Sequence, residues 1–297
     1  MEIIYDAVIE YNSEDIEKVL SDKHKYYHTF SIPKKRGGTR RISEPLSDLK
    51  DIQKILYSEI FYPKRYLVHK CAYAYMPYTN MLECIEKHVC KDVVVKMDIK
   101  NFFGSITDKI LLDTFCRAFR MDEKTAGTVA DLCTLDGLLP QGTPTSPILS
   151  NFACRILDKR LHSFCSKRGI EYSRYADDLI FSGNFDVKAL IRYVSWSLDD
   201  YYGFKLNYDK LRVMRKHQRQ VILGVVVNER CRLTKEKRRM LRQMLYYAKK
   251  YGVEDSLACT DYDIDKLLGY VNYAAYISNE PFVNELHTLL LEYRRTK

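Results

Sequence analysis

The sequence predicts an α+β fold in which an antiparallel sheet is flanked by helices and followed by a helical C-terminal lobe. Three observations support this prediction. The run Val93–Met97 is apolar and β-branched, which is typical of a central strand. The strand-like run Ile170–Tyr175 and the apolar run Leu179–Phe181 enclose a short polar turn and predict a β-hairpin. Apolar residues at helical spacing occupy most of the remaining chain.

The N-terminal part predicts a helix, a hairpin and a second helix. Ser13–Leu20 is amphipathic. The pair Gly37-Gly38 lies between two strand-like flanks, which predicts a hairpin, and five of the eight residues at 34–41 are basic. Apolar residues at helical spacing over 46–60 predict a helix that ends before Pro63. Residues 70–80 show no clear period and receive no assignment.

The middle of the chain predicts helices around a proline-rich loop. Residues 107–119 and 126–135 have the apolar spacing of helices. Leu138–Pro147 contains three prolines and one glycine, which exclude a regular helix before Pro147. We expect one long helix from Pro147 to about Lys167, ended by Gly169. Its N-terminus presents amide groups to nucleotide phosphates or is an ordinary loop-to-helix junction.

The C-terminal part predicts one strand and several helices. A helix over 187–202 is ended by Gly203, and residues 221–228 form a strand that leads to a turn. Thr234 is the expected cap of a basic helix over 235–251. Its Arg238 and Arg242 suit a duplex backbone, although a solvated helix face is the ordinary interpretation. Two further helices are predicted over 263–277 and 283–295.

Composition limits the class of protein. The 297 residues allow two or three subdomains. Lys and Arg outnumber Asp and Glu by 48 to 39, and the net charge of +9 favours a polyanionic partner such as nucleic acid. The nine cysteines contain no Cys-x-x-Cys pair, which argues against a disulfide framework and a zinc site and favours a reducing cytoplasm. The sequence predicts neither export nor a membrane span.

Three aspartates are the candidate catalytic residues. Asp177 and Asp178 occupy the turn of the predicted hairpin, where adjacent carboxylates repel each other unless cations neutralise them or one is protonated. Asp98 ends the apolar strand, where an unpaired buried carboxylate is costly. Two-metal phosphoryl transfer would account for the adjacent pair, whereas Asp98 either has a hydrogen-bonding partner or binds metal. An isolated Asp-Asp pair is more often a solvated turn, so the surrounding motifs decide the interpretation.

Taken in order, these stretches resemble the reverse transcriptases of bacteria, and among them the retron type. Lys34–Arg41 resembles the fingers hairpin, and Met97–Phe103 resembles the first palm motif. Leu139–Pro147 resembles the nucleotide-binding motif. Tyr175–Asp178 matches the catalytic hairpin, and Lys210 matches the lysine of the following motif. Ile222–Gly224 matches the primer-grip segment. The resemblance runs from about Ile32 to the C-terminal helices.

The resemblance implies a right-hand polymerase fold with fingers, a palm that carries the antiparallel sheet, and a helical thumb. It further implies an RNA-directed DNA polymerase that extends a 3′-hydroxyl with dNTPs on an RNA template by two-metal phosphoryl transfer. The expected subdomains are fingers over 1–90, palm over 91–112, a helical insertion over 113–143, palm with the catalytic hairpin over 144–228, and thumb over 229–297.

The resemblance also implies roles for individual residues. Asp98, Asp177 and Asp178 would hold two Mg²⁺ ions. Arg40 and Arg41, with Lys35 in support, would hold the triphosphate, since the guanidinium fork matches phosphate geometry. Phe103 would act as the steric gate against a ribose 2′-hydroxyl. Gln141 and Gly142 would flank the incoming nucleotide. Lys210 would assist the departure of pyrophosphate.

The implied partners are a dedicated noncoding RNA, an RNA–DNA duplex and dNTPs, with an effector protein left open, in a retron-like antiphage system. Two elements depart from the retron pattern. Cys84–His88 stands where Asn-Ala-x-x-His is usual, and Ile222–Gly224 stands where Val-Thr-Gly is usual. Both are associated with recognition of the retron's own RNA, so the identity of the RNA stays open.

Three alternatives remain at this point. A defence-associated reverse transcriptase would make DNA without a template or with a protein primer. A related palm enzyme would make cyclic nucleotides or RNA, but Phe103 and the Pro-Gln-Gly segment argue against that chemistry. A non-polymerising RNA-binding relative would have no need to retain the three aspartates.

Overall fold

A computed structural model describes residues 13–34, 37–258 and 262–296. Its helices, in chain order, are α1 Ser13–Ser21, α2 Ser47–Ile55, α3 Met81–Glu86, α4 Asp108–Thr114, α5 Glu123–Cys133, α6 Ser146–Ala153, α7 Arg155–Ser166, α8 Val187–Asp200, α9 Lys235–Tyr251, α10 Val253–Ala258, α11 Ile264–Ile277 and α12 Pro281–Thr296. Its strands are β1 Tyr27–Pro33, β2 Thr39–Pro45, β3 Val93–Asp98, β4 Glu171–Tyr175, β5 Asp178–Gly183, β6 Arg212–Arg215, β7 Val221–Ile222, β8 Val225–Val226 and β9 Arg232–Leu233.

The central sheet has the strand order β4-β5-β3-β6. The apolar run of β3 is buried almost throughout, as its β-branched composition predicts. Leu179–Phe181 of β5 is likewise fully buried. The chain forms two compact units, and the first comprises the described residues up to Asn80 together with Val95–Phe181 and Phe185–Arg212. The first unit therefore contains every residue of the candidate site.

The predicted N-terminal hairpin is present in the first unit. β1 and β2 pair antiparallel in the register from Tyr27 opposite Pro45 to Pro33 opposite Thr39. Gly37 and Gly38 both have positive φ angles, of 87° and 80°, which explains why glycines occupy the turn. Both arms are largely exposed, and Lys34, Arg40 and Arg41 present their side chains to solvent.

Two predicted helices end in wider turns. The helix predicted over 46–60 is α2, which continues as a π-helical segment over Leu56–Phe61 before Pro63. The helix predicted over 107–119 is α4, which continues in the same way over Phe115–Phe119. The Phe61 and Phe115 rings of these segments stack with their centroids 5.7 Å apart. The extra residue in each last turn thus accompanies packing of aromatic rings in the core.

The single long helix predicted from Pro147 to Lys167 is wrong. The chain forms α6 and α7 with a break at Cys154. The Tyr201 hydroxyl donates to the Ala153 carbonyl at 2.8 Å, so this carbonyl is satisfied by a distant side chain at the point where the helix is interrupted. Because Cys154 is not a helix breaker, the local sequence gives no sign of the break.

The second unit comprises Met81–Val94, Ser182–Asn184 and Val213–Lys297. The strand predicted over 221–228 is in fact two strands: β7 and β8 pair through a two-residue turn at Leu223-Gly224. These two residues have φ angles of 48° and 84°, as a type I′ hairpin turn requires. Thr234 occupies the capping position of α9 without a side-chain capping hydrogen bond, and the short helix α10 was not predicted.

Two arginines of α9 are engaged within the second unit. Arg238 Nε lies 2.8 Å from Glu280 Oε1, and Glu280 is buried. The Arg242 guanidinium lies over the Phe282 ring at 4.6 Å and 3.7 Å from Glu280 Oε2. These contacts join α9 to the start of α12, and the duplex contact of this arginine pair stays a prediction.

The described residues include eight cysteines, all present as thiols rather than disulfides. This agrees with the absence of a disulfide framework in the sequence pattern. No helix in the described ranges is both long and apolar enough to cross a membrane.

Candidate active site

The turn between β4 and β5 presents the two adjacent acids. β4 ends at Tyr175 and β5 begins at Asp178, so Ala176 and Asp177 form a two-residue turn. Ala176 has a φ of 57°, a left-handed conformation that is unfavourable for a residue with a Cβ. The Arg174 guanidinium donates to the Ala176 carbonyl at 3.1 Å, which stabilises the turn in this conformation.

Asp98 lies beside this turn. It ends β3 and is only 3 % exposed. The Ile99 amide donates to the Asp177 carbonyl at 3.0 Å, which joins the end of β3 to the turn. The Asp98 carboxylate acts electrostatically on both Asp177 and Asp178 and raises the pKa of each. The structure therefore brings together three aspartates that are far apart in the sequence.

Crowding changes the acidity of these groups. Burial raises the pKa of Asp177, and repulsion from Asp178 and Asp98 raises it further, to about 6. Burial also raises the pKa of Asp178, although the ammonium group of Lys96 opposes the shift. Negative charge at this site is thus costly without nearby cations.

Two lysines supply positive charge to the acids. Lys96 Nζ lies 2.8 Å from Asp178 Oδ2, and Lys210 Nζ donates to Asp98 Oδ2 at 2.7 Å. Burial alone would lower the pKa of Lys210, but its hydrogen bond to Asp98 and the nearby carboxylates raise it. Asn207 Nδ2 donates to the other Asp98 oxygen at 3.1 Å. Asp98 and Asp178 are therefore each held by a lysine.

The donor set of the three aspartates fits magnesium. Carboxylate oxygens are hard ligands of the kind that Mg²⁺ prefers, and the raised pKa of Asp177 shows that the site favours added positive charge. Within the described ranges no three His, Cys, Asp or Glu side chains form, as they stand, a group that could hold a metal ion, and Asp98 and Asp178 each pair with a lysine. Asp98, Asp177 and Asp178 are the residues that would hold the ions.

A basic cavity lies between the hairpin and the proline-rich loop. It measures about 270 Å³ and includes Arg40, Arg41, Asn101 and Gln141 in its lining. Arg40 and Arg41 are exposed on β2. The predicted anion-binding residues of the hairpin and loop thus meet at one cavity. Lys35, the third predicted residue of the triphosphate clamp, lies outside the described residues.

Gly142 is where the loop and the hairpin touch. A Cβ at this position would lie 2.8 Å from Ile42 Cγ2 and 3.1 Å from the Ser43 carbonyl oxygen, and its φ is 113°. The Ser43 amide donates to the Gln141 carbonyl at 2.8 Å. Only glycine permits this close approach, which places Gln141 against β2.

The N-terminus of α6 is not an open anion site. Thr143 Oγ1 accepts a hydrogen bond from the Ser146 amide at 3.1 Å, and both Thr145 and Ser146 are buried. The Ser146 amide is therefore already bonded within the loop, which favours the second of the two predicted interpretations, an ordinary loop-to-helix junction. The cavity lies instead against the loop residues that precede the helix.

Phe102 and Phe103 follow the catalytic strand in a short helical turn rather than in a strand. Phe102 is buried at 4 % exposure, whereas Phe103 is half-buried. Their rings are 5.5 Å apart and edge-to-face. One aromatic ring thus anchors the turn in the core, and the other lies at its surface close to the acids in sequence.

The model of the family described as reverse transcriptase (RNA-dependent DNA polymerase) matches residues 32–227, which is more than half of the chain and includes every residue of the candidate site. This chain belongs to the reverse transcriptase family. Named relatives confirm the prediction that this chain is a retron-type reverse transcriptase. The retron Mx65 reverse transcriptase of Myxococcus xanthus is 34% identical over 271 residues, covering 84% of this chain and 62% of the relative.

Two other retron reverse transcriptases extend the comparison. The retron Mx162 enzyme of Myxococcus xanthus is 31% identical over 264 residues, covering 77% of this chain and 54% of the relative. The retron Ec83 enzyme of Escherichia coli is 28% identical over 276 residues, covering 88% and 86%. The chain thus spans less than two thirds of the length of the two Myxococcus relatives.

Solved structures confirm the right-hand polymerase fold. Apo telomerase from Candida tropicalis superposes with a TM-score of 0.55 at 13% identity, covering 91% of this chain and 57% of that chain. The foamy viral protease-reverse transcriptase in complex with double-stranded DNA gives a TM-score of 0.53 at 16% identity, covering 96% and 44%. At such low identity the likeness concerns the fold alone.

The reverse transcriptase site also contains residues that the sequence did not reveal. Arg174 and Asp158 form an ion pair with both side chains 0% exposed. The Tyr172 hydroxyl donates to the same carboxylate at 2.9 Å, and Arg174 also donates to Asn151 Oδ1 at 3.0 Å. This buried network stabilises the β4–β5 turn through the hydrogen bond from Arg174 to the Ala176 carbonyl. Its members come from three elements, α6, α7 and β4, so no local spacing predicts it.

Lys96 was also missed, but a sequence signal existed. It is the only charged residue within the apolar run of β3 before Asp98. Residues two positions apart on a strand point to the same face, so Lys96 and Asp98 share a face. A lysine on the catalytic face of a buried strand indicates a charge partner for the neighbouring acids.

Proposed function

We propose that this reverse transcriptase is an RNA-directed DNA polymerase that adds dNTPs to a 3′-hydroxyl on an RNA template. The observation that carries the proposal is the convergence of Asp98, Asp177 and Asp178 at the β4–β5 turn. In the reaction the 3′-oxygen forms a bond to the α-phosphorus of the nucleotide. The bond from the α-phosphorus to the bridging oxygen breaks, and pyrophosphate leaves.

The three aspartates would hold two Mg²⁺ ions. Bound magnesium lowers the pKa of the 3′-hydroxyl and neutralises charge on the triphosphate and pyrophosphate. The contribution of this chain is to place three carboxylates within reach of one another. The pKa of about 6 at Asp177 and the ion pairs of Lys96 and Lys210 support this role, because each shows a demand for positive charge at the site.

The basic cavity would bind the incoming nucleotide. Arg40 and Arg41 present guanidinium groups that pair with phosphate oxygens in two-point contacts. Gln141 lines the same cavity, and Gly142 holds it against β2. The proposal gives these two residues the flanks of the nucleotide and keeps Lys35 as a further contact of the triphosphate.

Two residues would act on the sugar and the leaving group. Phe103 would exclude a ribose 2′-hydroxyl by the bulk of its ring and so select dNTPs. Lys210 carries a proton at neutral pH and lies on the Asp98 carboxylate, from which it would stabilise or protonate the departing pyrophosphate. Both roles rest on the family motifs; the gate is further supported by the short sequence distance between Phe103 and Asp98, and the Lys210 role by its contact with Asp98.

We further propose a dedicated noncoding RNA as the partner, with a role in antiphage defence, on the strength of the similarity to retron enzymes. The net charge of +9 is compatible with an RNA partner. His88 is fully buried, and its Nδ1 lies 2.7 Å from Ser182 Oγ. RNA recognition therefore does not use the His88 ring directly in this conformation.

The polymerase proposal is tested by dNTP incorporation on a primed RNA template with Mg²⁺, comparing wild type with Asp177→Asn. We expect extension by the wild type that follows the template sequence and almost none by the variant. Equal extension by both proteins would contradict the assignment. Extension independent of template sequence would favour an untemplated enzyme. Sequencing of the copurifying nucleic acid tests the RNA partner, since a single structured RNA is expected.

A further inference from the structure

Tyr75 lies against the proposed steric gate. Its ring is 6.3 Å from that of Phe103, centroid to centroid, in an edge-to-face arrangement. Phe103 also makes an edge-to-face contact with the buried Phe102 at 5.5 Å. The Phe103 ring is thus confined between a ring of the core and the ring of Tyr75, which is itself 44 % exposed.

The backbone of Tyr75 adopts an unfavourable conformation. Its φ is 63°, which is uncommon for a bulky residue. The preceding residues are fixed to the catalytic strand β4: the Arg174 amide donates to the Cys71 carbonyl at 2.7 Å, and the Tyr73 amide donates to the Arg174 carbonyl at 2.9 Å. Strained backbone that is held by its surroundings is typical of functional sites.

A buried side chain fixes the neighbouring residue as well. Asn151 Nδ2 donates to the Ala74 carbonyl at 2.8 Å, and Asn151 Oδ1 accepts from Arg174 Nη1 at 3.0 Å. The same Arg174 nitrogen donates to the Ala176 carbonyl in the catalytic turn. One buried guanidinium therefore orients both the acids and the segment that carries Tyr75.

The charges around Tyr75 belong to the nucleotide site. Burial raises the pKa of its hydroxyl, Asp177 and Tyr175 raise it further, and Arg40 and Arg174 oppose the shift. Its side chain therefore lies within electrostatic reach of a catalytic acid on one side and of a proposed triphosphate ligand on the other.

We propose that Tyr75 is a positioning residue that determines sugar selectivity: its ring holds the Phe103 ring in the orientation that excludes a 2′-hydroxyl. This inference rests on the proposed polymerase function and on Phe103 as its gate. Without Tyr75, the Phe103 ring would be supported by Phe102 alone. It could then rotate toward the open side when a ribose 2′-hydroxyl enters. Tyr75 closes that side, and its ring rather than its hydroxyl makes the contact.

The test measures kcat/KM for dCTP and CTP on one primed RNA template. Tyr75→Ala should lower the dCTP-to-CTP ratio by about 3- to 10-fold, the worth of one edge-to-face aromatic pair. Tyr75→Phe should keep the ratio of the wild type because it keeps the ring. A purely structural role would lower kcat/KM for both nucleotides equally and leave the ratio unchanged, which would overturn the proposal.

A matched control lies three residues away. Tyr78 also has a left-handed backbone, with a φ of 62°, but is 90 % exposed; Tyr78→Ala should leave the ratio as in the wild type. Phe103→Ala combined with Tyr75→Ala should be no less selective than Phe103→Ala alone, because Tyr75 acts through Phe103. Additive losses would overturn the proposal.

Failure of the proposed function is recognised separately, since wild type would then extend neither nucleotide. If Tyr75→Ala does not fold, Tyr75→Leu keeps much of the volume without the aromatic ring. It should show the same loss of selectivity, and a ratio equal to that of the wild type would overturn the role of the ring.

Discussion

Lys210 Nζ donates to Asp98 Oδ2 at 2.7 Å, although half of the lysine side chain is exposed and Asp98 is almost fully buried. The ammonium group supplies positive charge to a carboxylate that would otherwise be buried without any. Lys210→Gln should therefore lower the free energy of unfolding in EDTA by about 1 kcal/mol, a modest value because the lysine is half exposed. Chemical denaturation in EDTA measures this.

Addition of Mg²⁺ should raise the Tm of Lys210→Gln more than that of the wild type, because the ion no longer competes with the ammonium group. The matched control is Lys205→Gln, which removes an exposed lysine paired with Asp199. Its Mg²⁺ response should equal that of the wild type. Equal responses of Lys210→Gln and wild type would contradict the idea that lysine and metal share the same carboxylate.

The buried pair of Arg174 and Asp158 predicts a large effect on stability. Arg174→Met leaves the Asp158 charge buried without its partner, so we expect a loss of about 3–5 kcal/mol in the free energy of unfolding. The double variant Arg174→Met with Asp158→Leu should recover much of that loss. It should remain poorly active, because the Ala176 carbonyl has lost its donor. Urea denaturation and primer extension measure the two effects.

The control for this pair is Arg160→Met, which breaks the more exposed ion pair of Arg160 and Asp200. Its effect should be below about 1 kcal/mol. Full activity in the double variant would show that the network stabilises the fold without positioning the turn.

Gly142→Ala should disturb the nucleotide cavity. The added Cβ would lie 2.8 Å from Ile42 Cγ2, on a backbone with a φ of 113°. We expect a loss of about 1–3 kcal/mol in stability and a higher KM for dNTPs, because β2 must move away from Gln141. Steady-state kinetics and denaturation check both effects.

Gly127→Ala is the matched control, since a Cβ at that position in α5 meets nothing within 4 Å. It should be neutral or stabilising by up to about 1 kcal/mol. An unchanged KM in Gly142→Ala would indicate that the loop and hairpin do not form the nucleotide site together.

His88 predicts a pH dependence of stability. Burial lowers its pKa from the ordinary 6.5 to about 3, with Lys91 and Lys87 acting in the same direction. Between pH 6.5 and 3 the unfolded chain therefore binds a proton that the folded chain excludes, so stability falls as the pH falls through this range. The loss attributable to His88 between pH 7 and pH 5 is about 2 kcal/mol.

The comparison of wild type with His88→Asn isolates this effect, because asparagine retains polar atoms near Ser182 and does not titrate. The variant should be less stable at pH 7 but should lose less stability on acidification to pH 5. Parallel loss in both proteins would show that His88 is not the group responsible.

Much of the fold was predictable because its signals are local. The apolar run before Asp98, the acids between two strand-like runs and the glycine pair of the hairpin each determine their own element. The break at Cys154 was not predictable, since it coincides with a hydrogen bond from the distant Tyr201. The turn at Leu223-Gly224 was missed because a non-glycine residue takes a left-handed φ.

The candidate site divides in the same way. Its acids and basic residues follow from short motifs, and the structure brings the acids to one turn and Arg40 and Arg41 to one cavity. The Arg174, Asp158 and Asn151 network depends on packing between elements, so only the folded chain reveals it. Lys96 could have been predicted from the sequence, because strand periodicity places it on the same face of β3 as Asp98. The proposed subdomain boundaries stay a prediction.

The central claim is that three aspartates at one turn perform templated DNA synthesis. The most direct measurement is the single-turnover rate of dNTP addition to a primed RNA by Asp98→Asn, at saturating protein and with primer–template binding measured in parallel. The exposed Asp209 supplies the control, Asp209→Asn. We predict binding close to that of the wild type and a rate lower by at least about 10³-fold for Asp98→Asn only. A rate within a few-fold of the wild type would contradict the claim.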